Sequence, residues 1–514
     1  MLGILVLCLI GASCGDQFRP VAIPIAPPPP DPASFHFVLV LSDNGFNDPG
    51  ASSRLDVSGD SNLGVAQLGL GPAHAALIPN ANRVYVANTA EDSISSYAPG
   101  TATSVTTTSL PAGSNPVFVQ TTDNGAVYVA NFGNNTSPGT VAAVSTATNV
   151  VLSPLITVGN HPVALAETPD QKKLYAVNQG DDTVTSISLV DRTVTQTIAT
   201  GTKPVGAVAR SDSARVYVLN SGSGTISAID TATDTVLSTV SVGAGANFMI
   251  YDKLSNRLYV TNPTANTVTA LDAAADPPAP RFVVSVAASP IAVTALPDGG
   301  RAYVVGFTKI PPCTSDPSDL QLCISSEVTV LNASDGSIRT TIPLESTINI
   351  TAALQAGSNT SYTYTLTSGP ALRPGMRLVI AGMGDGGNNG TFTLAAASAG
   401  TFTVVNGSGV TSTGQNGRGT VVVEIDGTKP TGCDTSGLGI PGGVPGGVRF
   451  RFSAAASADS TKVFVAKCDA GSTAIIRTSD DIAVLDMAAP PSASTPANGG
   501  NPLPQNPVFV LAGP

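Results

Sequence analysis

Residues 257–272 read RLYVTNPTANTVTALD. Leu258, Tyr259 and Val260 form an apolar run that stops at Asn262 and Pro263, and an alternating run through Val268 and Ala270 ends at Leu271 and Asp272. β-Branched and aromatic residues between Asn, Pro and Asp signals read as strand, turn, strand. Nearly the same phrase recurs as RVYVAN at Tyr85, AVYVAN at Tyr128, KLYAVN at Tyr175, RVYVLN at Tyr217, RAYVVG at Tyr303 and KVFVAK at Phe464. With Tyr259 included, the first six aromatics are 43, 47, 42, 42 and 44 residues apart. The interval from Tyr303 to Phe464 is 161 residues, far too long for one copy, so it holds an insertion. A looser copy, FVLVLSDNG, stands at residues 37–45.

The unit from Lys203 to Gly243 shows the parts of one copy. PVGAVARS, RVYVLNSGSG, TISAIDTATD and TVLSTVSVG read as four short strands joined by Asn, Gly, Ser and Asp turns. Four strands every 42–47 residues is the length of one propeller blade. A lone four-stranded sheet cannot cover both its faces, and radial stacking buries them against neighbours, so many copies are required.

The YVAN, YVLN and YVTN tetrapeptides, followed by AIDTATDTV and STVSVG, resemble the YVTN-repeat β-propeller family of surface-layer and other cell-envelope proteins. The likeness covers most of residues 37–345 and about 448–514. It implies a propeller fold and export, and no single activity. Eight second-strand units are visible. The first has no strand before it, and the chain ends in NPVFVLAG (506–513), which matches the first strand NPVFVQTT (115–122). The fold expected is therefore all-β: a propeller of seven or eight four-stranded blades, eight being favoured, with N- and C-terminal strands closing one blade.

Residues 346–426 break the period but keep their own alternation, at Leu378/Ile380, Phe392/Leu394 and Phe402/Val404. The Gly-Asn-Asn-Gly at 387–390 and Asn406-Gly407 are hairpin signals. A small all-β module inserted between blades is expected, and its NNGTFT resembles small β-modules of phage and adhesive surface proteins. Such insertions map to one face of a repeat protein, often the binding face. A spacer without a ligand is the alternative.

The N-terminus, MLGILVLCLIGASCGDQ, carries an apolar core shorter than the roughly 20 residues a membrane helix needs. An apolar run before small residues has the shape of a secretory signal. With Cys14 at its end it resembles a bacterial lipoprotein signal, although no Lys or Arg precedes the run and Gly11 stands where that family has Leu. Cys14 would then carry the lipid; an ordinary signal with an incidental Cys14 is the alternative. PVAIPIAPPPPDP (20–32) reads as a semi-rigid polyproline spacer. Four cysteines remain beyond the signal: Cys313, Cys323, Cys433 and Cys468. In an exported chain they are expected as disulfides, with Cys313–Cys323 and Cys433–Cys468 the favoured pairing of three. A zinc site is the rival, with no C-x-x-C spacing and only His36, His74 and His161 to complete it. The organisation expected is a signal peptide over 1–13, the lipid site and Pro-rich linker over 14–34, and blades over 35–345. The module follows over 346–426, then a Gly/Pro-rich link over 427–447, and the last blade with the closing strand over 448–514.

Chemistry is thinly represented. Net charge is −11, and no Lys/Arg-rich run exists, so nucleic acid is not an expected partner. Asp181-Asp182 and Glu91-Asp92 are paired acids in the same turn of two blades, without the spacing of a calcium loop. The Gly-rich stretch 384–390 lacks the Lys-Ser/Thr of a phosphate loop, and no G-x-S-x-G, H-E-x-x-H or C-x-x-C-H occurs. No catalytic, cofactor-binding or metal-ligating residue is assigned, and no cofactor is expected. Some propellers of similar repeat are lactonases or carry quinone, haem or copper domains.

The function expected is a non-enzymatic, lipid-anchored scaffold of the cell envelope, at the outer membrane where two exist. It would bind an envelope protein or glycan through loops on one face and meet the membrane only through its anchor. A lactonase-like hydrolase with its site at the central channel and a structural surface-layer component are the alternatives. Cys14→Ala is expected to move the protein from the membrane fraction to the soluble fraction. Continued firm membrane association of that variant would exclude a lipid anchor at Cys14.

Overall fold

The alternating runs are strands, and they pair in the order in which the chain writes them. The computed structural model describes residues 37–44, 48–57, 61–80, 82–100, 104–121, 125–134, 138–310, 321–426, 433, 439–440, 444–445, 451–492 and 504–513. Cys14, His36, Cys313, the expected signal and the Pro-rich stretch lie outside the described residues, as does most of 427–447.

Seven separate four-stranded antiparallel sheets stand in a propeller ring. An eighth set of four strands, Ser289–Ala295, Arg301–Ile310, Gln321–Asn332 and Ile338–Pro343, continues into the inserted module. Numbered from the N-terminus, the blades after the first begin with the inner strands Pro72–Leu77, Pro116–Thr121, Pro162–Glu167, Pro204–Ala209, Phe248–Asp252, Ser289–Ala295 and Phe452–Ala456. Blade 1 takes its inner strand, Asn506–Ala512, from the C-terminus, paired antiparallel with Phe37–Asp43. The eight inner strands touch one another in ring order, and the last meets the first. The expected closure is present, and it gives the strand Phe37–Asp43 a partner on both sides, where it would otherwise offer an unpaired ladder.

The repeated phrase has a distinct task for each residue. Tyr85, Tyr128, Tyr175, Tyr217, Tyr259 and Tyr303 are all buried in the second strand of their blades. A buried phenol keeps its hydroxyl in a hydrogen bond. Tyr175 donates to Asp234 Oδ1 at 2.6 Å, Tyr85 to Asn149 Oδ1 at 3.1 Å, and Tyr217 to the Ala273 carbonyl at 2.9 Å. Each acceptor lies in the turn before the outermost strand of the following blade. Asn149 and Asp234 sit at φ 54°, a left-handed conformation that Asn and Asp tolerate, so one residue shapes the turn and receives the tyrosine. The phrase-ending Asn closes its own hairpin: Asn178 Nδ2 donates to Thr183 and Thr185, and Asn220 Nδ2 to Thr225 and Ser227.

The module is a closed six-stranded barrel. Thr347–Ala356 pairs with Asn359–Ser368, and the circuit runs on through Thr401–Val405, Gly390–Ser398, Arg377–Ala381 and Ser412–Asp426 back to the first strand. Its core includes Ile348, Ile350, Tyr362, Leu378, Phe402 and Val404, with Tyr362 stacked on Phe402 at 5.0 Å. The Gly-Asn-Asn-Gly segment does more than turn. Asn388 is buried, accepting from the Val410 N–H at 2.9 Å and donating to the Val410 carbonyl at 2.8 Å, which staples one end of the barrel. The long strand Ser412–Asp426 also pairs with blade 7, from Gln321↔Asp426 to Ile324↔Val423.

Removing residues 504–514 is expected to lower Tm by more than about 10 °C and to induce self-association, since it leaves one edge of the strand Phe37–Asp43 unpaired. Calorimetry and light scattering measure both. An unchanged monomeric melt would show that closure contributes nothing to the ring.

Candidate functional site

Among the described residues two concave regions bear on function: the central channel, and a groove between the barrel and blade 8. The channel holds a cavity of about 330 Å3 walled by inner strands. At one level, eight residues occupy the same register, opposite the second residue after the repeat aromatic. In blade order they are Phe509, His74, Phe118, Ala164, Gly206, Phe248, Ala292 and Ser453. His74 stacks on Phe118 at 3.8 Å and lies 4.4 Å from Phe509. Packing withdraws the imidazole from water, which disfavours its charged form and pushes its pKa down to about 3. Its Nδ1 accepts from the Val119 N–H at 3.4 Å, so the proton of the neutral ring sits on Nε2.

The groove, about 520 Å3, is lined by Arg373, Met376, Arg377, Lys467, Asp469 and Asp486 among others. Beneath it lies a buried ion network. Lys467 Nζ is 3.2 Å from Asp486 Oδ1, 3.8 Å from Glu345 Oε1 and 3.3 Å from the Leu344 carbonyl. Arg373, from the barrel, reaches Asp486 Oδ2 at 3.3 Å, while Arg451 pairs with Asp469 at 2.7 Å. Burial opposes the charge of Asp486, but Lys467 and Arg373 together outweigh it and hold its carboxyl below the ordinary range. Glu345 behaves oppositely: burial exceeds the help of Lys467 and the Ser326 hydrogen bonds, and its pKa is raised. Two cations and two acids from barrel, linker and blade therefore fix the walls of the groove.

His74 and His161 are not brought together. His74 faces the channel, whereas His161 lies in the turn before blade 4, at φ 53°, stacked on Phe132 at 4.4 Å. The paired acids are clamps between blades. Glu91 Oε2 accepts from the Leu70 N–H at 2.9 Å, on the link entering blade 2. Asp92 accepts from the Gly113 and Asn115 N–H groups, both at 2.7 Å, on the link leaving it. Asp181 and Asp182 repeat the device on Asn160 and Lys203, each at 2.6 Å. Among the described residues no group of three His, Cys, Asp or Glu gathers into a metal-ligand cluster.

Cys433 and Cys468 form a disulfide that ties the chain returning from the barrel to blade 8. Cys323 is also disulfide-bonded, while Cys313, its favoured partner, lies outside the described residues. Lys467, Asp486, Arg373 and Glu345 were not singled out by sequence. The available signal was Lys467 itself, which stands where the repeat writes Asn.

The fold and its sites define a β-propeller bearing an inserted barrel. No family model and no curated protein matches the chain. Among solved structures it is similar to a protein of unknown function from Desulfotomaculum acetoxidans, at 13% identity and TM-score 0.45 over 60% of this chain and 95% of that one. It is also similar to two proteins provisionally described as 6-phosphogluconolactonases. The one from Bacteroides uniformis gives 14% identity, TM-score 0.46, and coverage of 60% and 97%. The one from Bacteroides fragilis gives 16% identity, TM-score 0.45, and coverage of 61% and 97%.

Lys467→Met is expected to destabilise the fold by about 3–5 kcal/mol at pH 7, because it strands buried carboxylates. The loss should shrink towards pH 4. In the parent, the Asp486 contribution is present above its unfolded pKa and lost as pH falls through the lowered folded pKa; in the variant, protonation removes the stranded charge. Calorimetry at both pH values measures this, and an equal loss at both would show that the charges are not coupled.

Proposed function

We propose that the protein is an exported, lipid-anchored scaffold of the cell envelope that captures an envelope protein or glycan in the groove between barrel and blade 8. The observation that carries this reading is the buried network of Lys467, Asp486, Glu345 and Arg373, which fixes the barrel against the ring. A preformed groove avoids the ordering cost that a mobile appendage meets on binding. Ala488, Ala489 and Pro491 give the groove apolar contact area, and Arg373 and Arg377 line it with charge. Export is supported by the disulfides, which persist in oxidising compartments, and by the signal-like N-terminus. The repeat's likeness to YVTN propellers adds the envelope as the address. The channel wall fits this reading better than hydrolysis: its described titratable side chain, His74, packs against Phe118 and Phe509, and its lowered pKa makes it a weak base near neutrality.

The test is capture by the immobilised protein from two separate pools, solubilised envelope proteins and cell-wall glycans. Saturable retention from one pool, lost in Ala488→Trp, is the expected result, since Ala488 is an exposed residue of the groove. Retention unaffected by that variant would remove the groove from the binding site. Retention from neither pool, with ordered two-dimensional assembly instead, would replace the scaffold reading by a structural one.

A further inference from the structure

We infer that the central channel is a second binding site, independent of the groove, for a small, neutral, mostly apolar molecule carrying a carbonyl-type oxygen. The eight-residue layer described above is lopsided. Phe509, His74 and Phe118 pack together in three successive blades, Ala164 and Gly206 follow in the next two, and Phe248 stands across the ring from His74. A Cβ added at Gly206 would meet nothing within 4 Å, so the cavity at that level is open and the small residues create it. At about 330 Å3 it reaches the lower end of the roughly 300–1,000 Å3 typical of small-molecule sites.

The polar side chains of the wall each offer a donor. His74 keeps its Nε2–H, with no acceptor among the described residues. Asn247 accepts from Thr261 Oγ1 at 2.9 Å through Oδ1, which leaves its amide N–H groups to donate. Ser453 Oγ accepts from the Val510 N–H at 3.1 Å and retains its own proton. All three line the cavity, and all three are donors. A ligand that pairs with these side-chain donors must supply acceptors. No Lys or Arg stands among the described residues of the wall, and an unpaired carboxylate is costly to bury, so the ligand is neutral. Valine, methionine and phenylalanine side chains take up the rest of its surface.

The full chain titrated with prodan, a neutral naphthalene bearing one ketone, reads this out by fluorescence. Saturable, blue-shifted emission at one site per chain is expected, and Gly206→Phe should abolish it while keeping the parent melt. His74→Phe preserves the aromatic stack and removes a donor. It should weaken prodan by about fivefold to tenfold and leave unsubstituted naphthalene unchanged. Absence of saturable binding, or binding unchanged in a folded Gly206→Phe, overturns the inference. Should Gly206→Phe fail to fold, the His74→Phe comparison decides: equal effects on ketone and hydrocarbon overturn it.

Discussion

The blades of the ring are joined above all by phenols whose hydroxyls pair with the following blade. Tyr85, Tyr175, Tyr217 and Tyr303 are buried in second strands, and their partners Asn149, Asp234, Ala273 and Asp481 belong to a turn of the next blade. An orphaned buried hydroxyl costs about 1–3 kcal/mol, so each of these four blades is incomplete without its successor. The arrangement fixes the order and spacing of the copies. The turn must arrive at one height and one radius, which keeps the intervals between 42 and 47 residues across six copies. Where the direct bond is replaced, the direction persists: at blade 6, Arg257 donates both to the Tyr259 hydroxyl and to the Ala333 carbonyl of blade 7.

The seam obeys a different constraint. Blades 8 and 1 carry Phe464 and Leu39 at the tyrosine position, neither with a hydroxyl to place. Here the chain closes by backbone pairing of Asn506–Ala512 with Phe37–Asp43, and Val510 donates across the seam to Ser453. Tyr97 of blade 2 reaches back to Ser52 of blade 1 at 2.6 Å, reversing the usual direction. A ring whose last joint is a strand ladder can be assembled blade by blade from either end and locked once, when the termini meet.

The repeat was legible because it is written by residues whose geometry is local: an aromatic, a β-branched neighbour, an Asn and a left-handed turn. Closure was legible because NPVFVLAG repeats a first-strand phrase that the N-terminus lacks. In the module, the alternation at Leu378, Phe392 and Phe402 marked three strands, but Thr347–Ala356, Asn359–Ser368 and Ser412–Asp426 were not singled out. Closure into a barrel is a property of pairing between distant strands, and no spacing records it. The groove was less legible still, because Arg373, Glu345, Lys467 and Asp486 lie far apart in the chain and meet only after the barrel docks. Glu91-Asp92 and Asp181-Asp182 show the reverse: adjacent in sequence and suggestive of a site, they serve backbone N–H groups on the links before and after their blades.

Departures from the repeat are therefore the informative positions. The phrase-ending Asn closes a hairpin in blades 2 to 5, and the two blades flanking the insertion have lost it. Blade 7 has Gly306, where a Cβ would meet the Ser289 carbonyl at 2.7 Å, and blade 8 has Lys467. One loss makes room for backbone, and the other introduces the cation that anchors the barrel. The channel layer departs in the same sense, since a position shared by all eight blades holds three phenylalanines, a histidine, a serine, two alanines and a glycine. Selection for the ring alone would accept one apolar residue repeated around it. Uneven size at equivalent positions shapes a cavity with a wide and a narrow side, and uneven polarity gives that cavity an orientation. The repeated residues build the disk, and the residues that refuse the repeat give it sites.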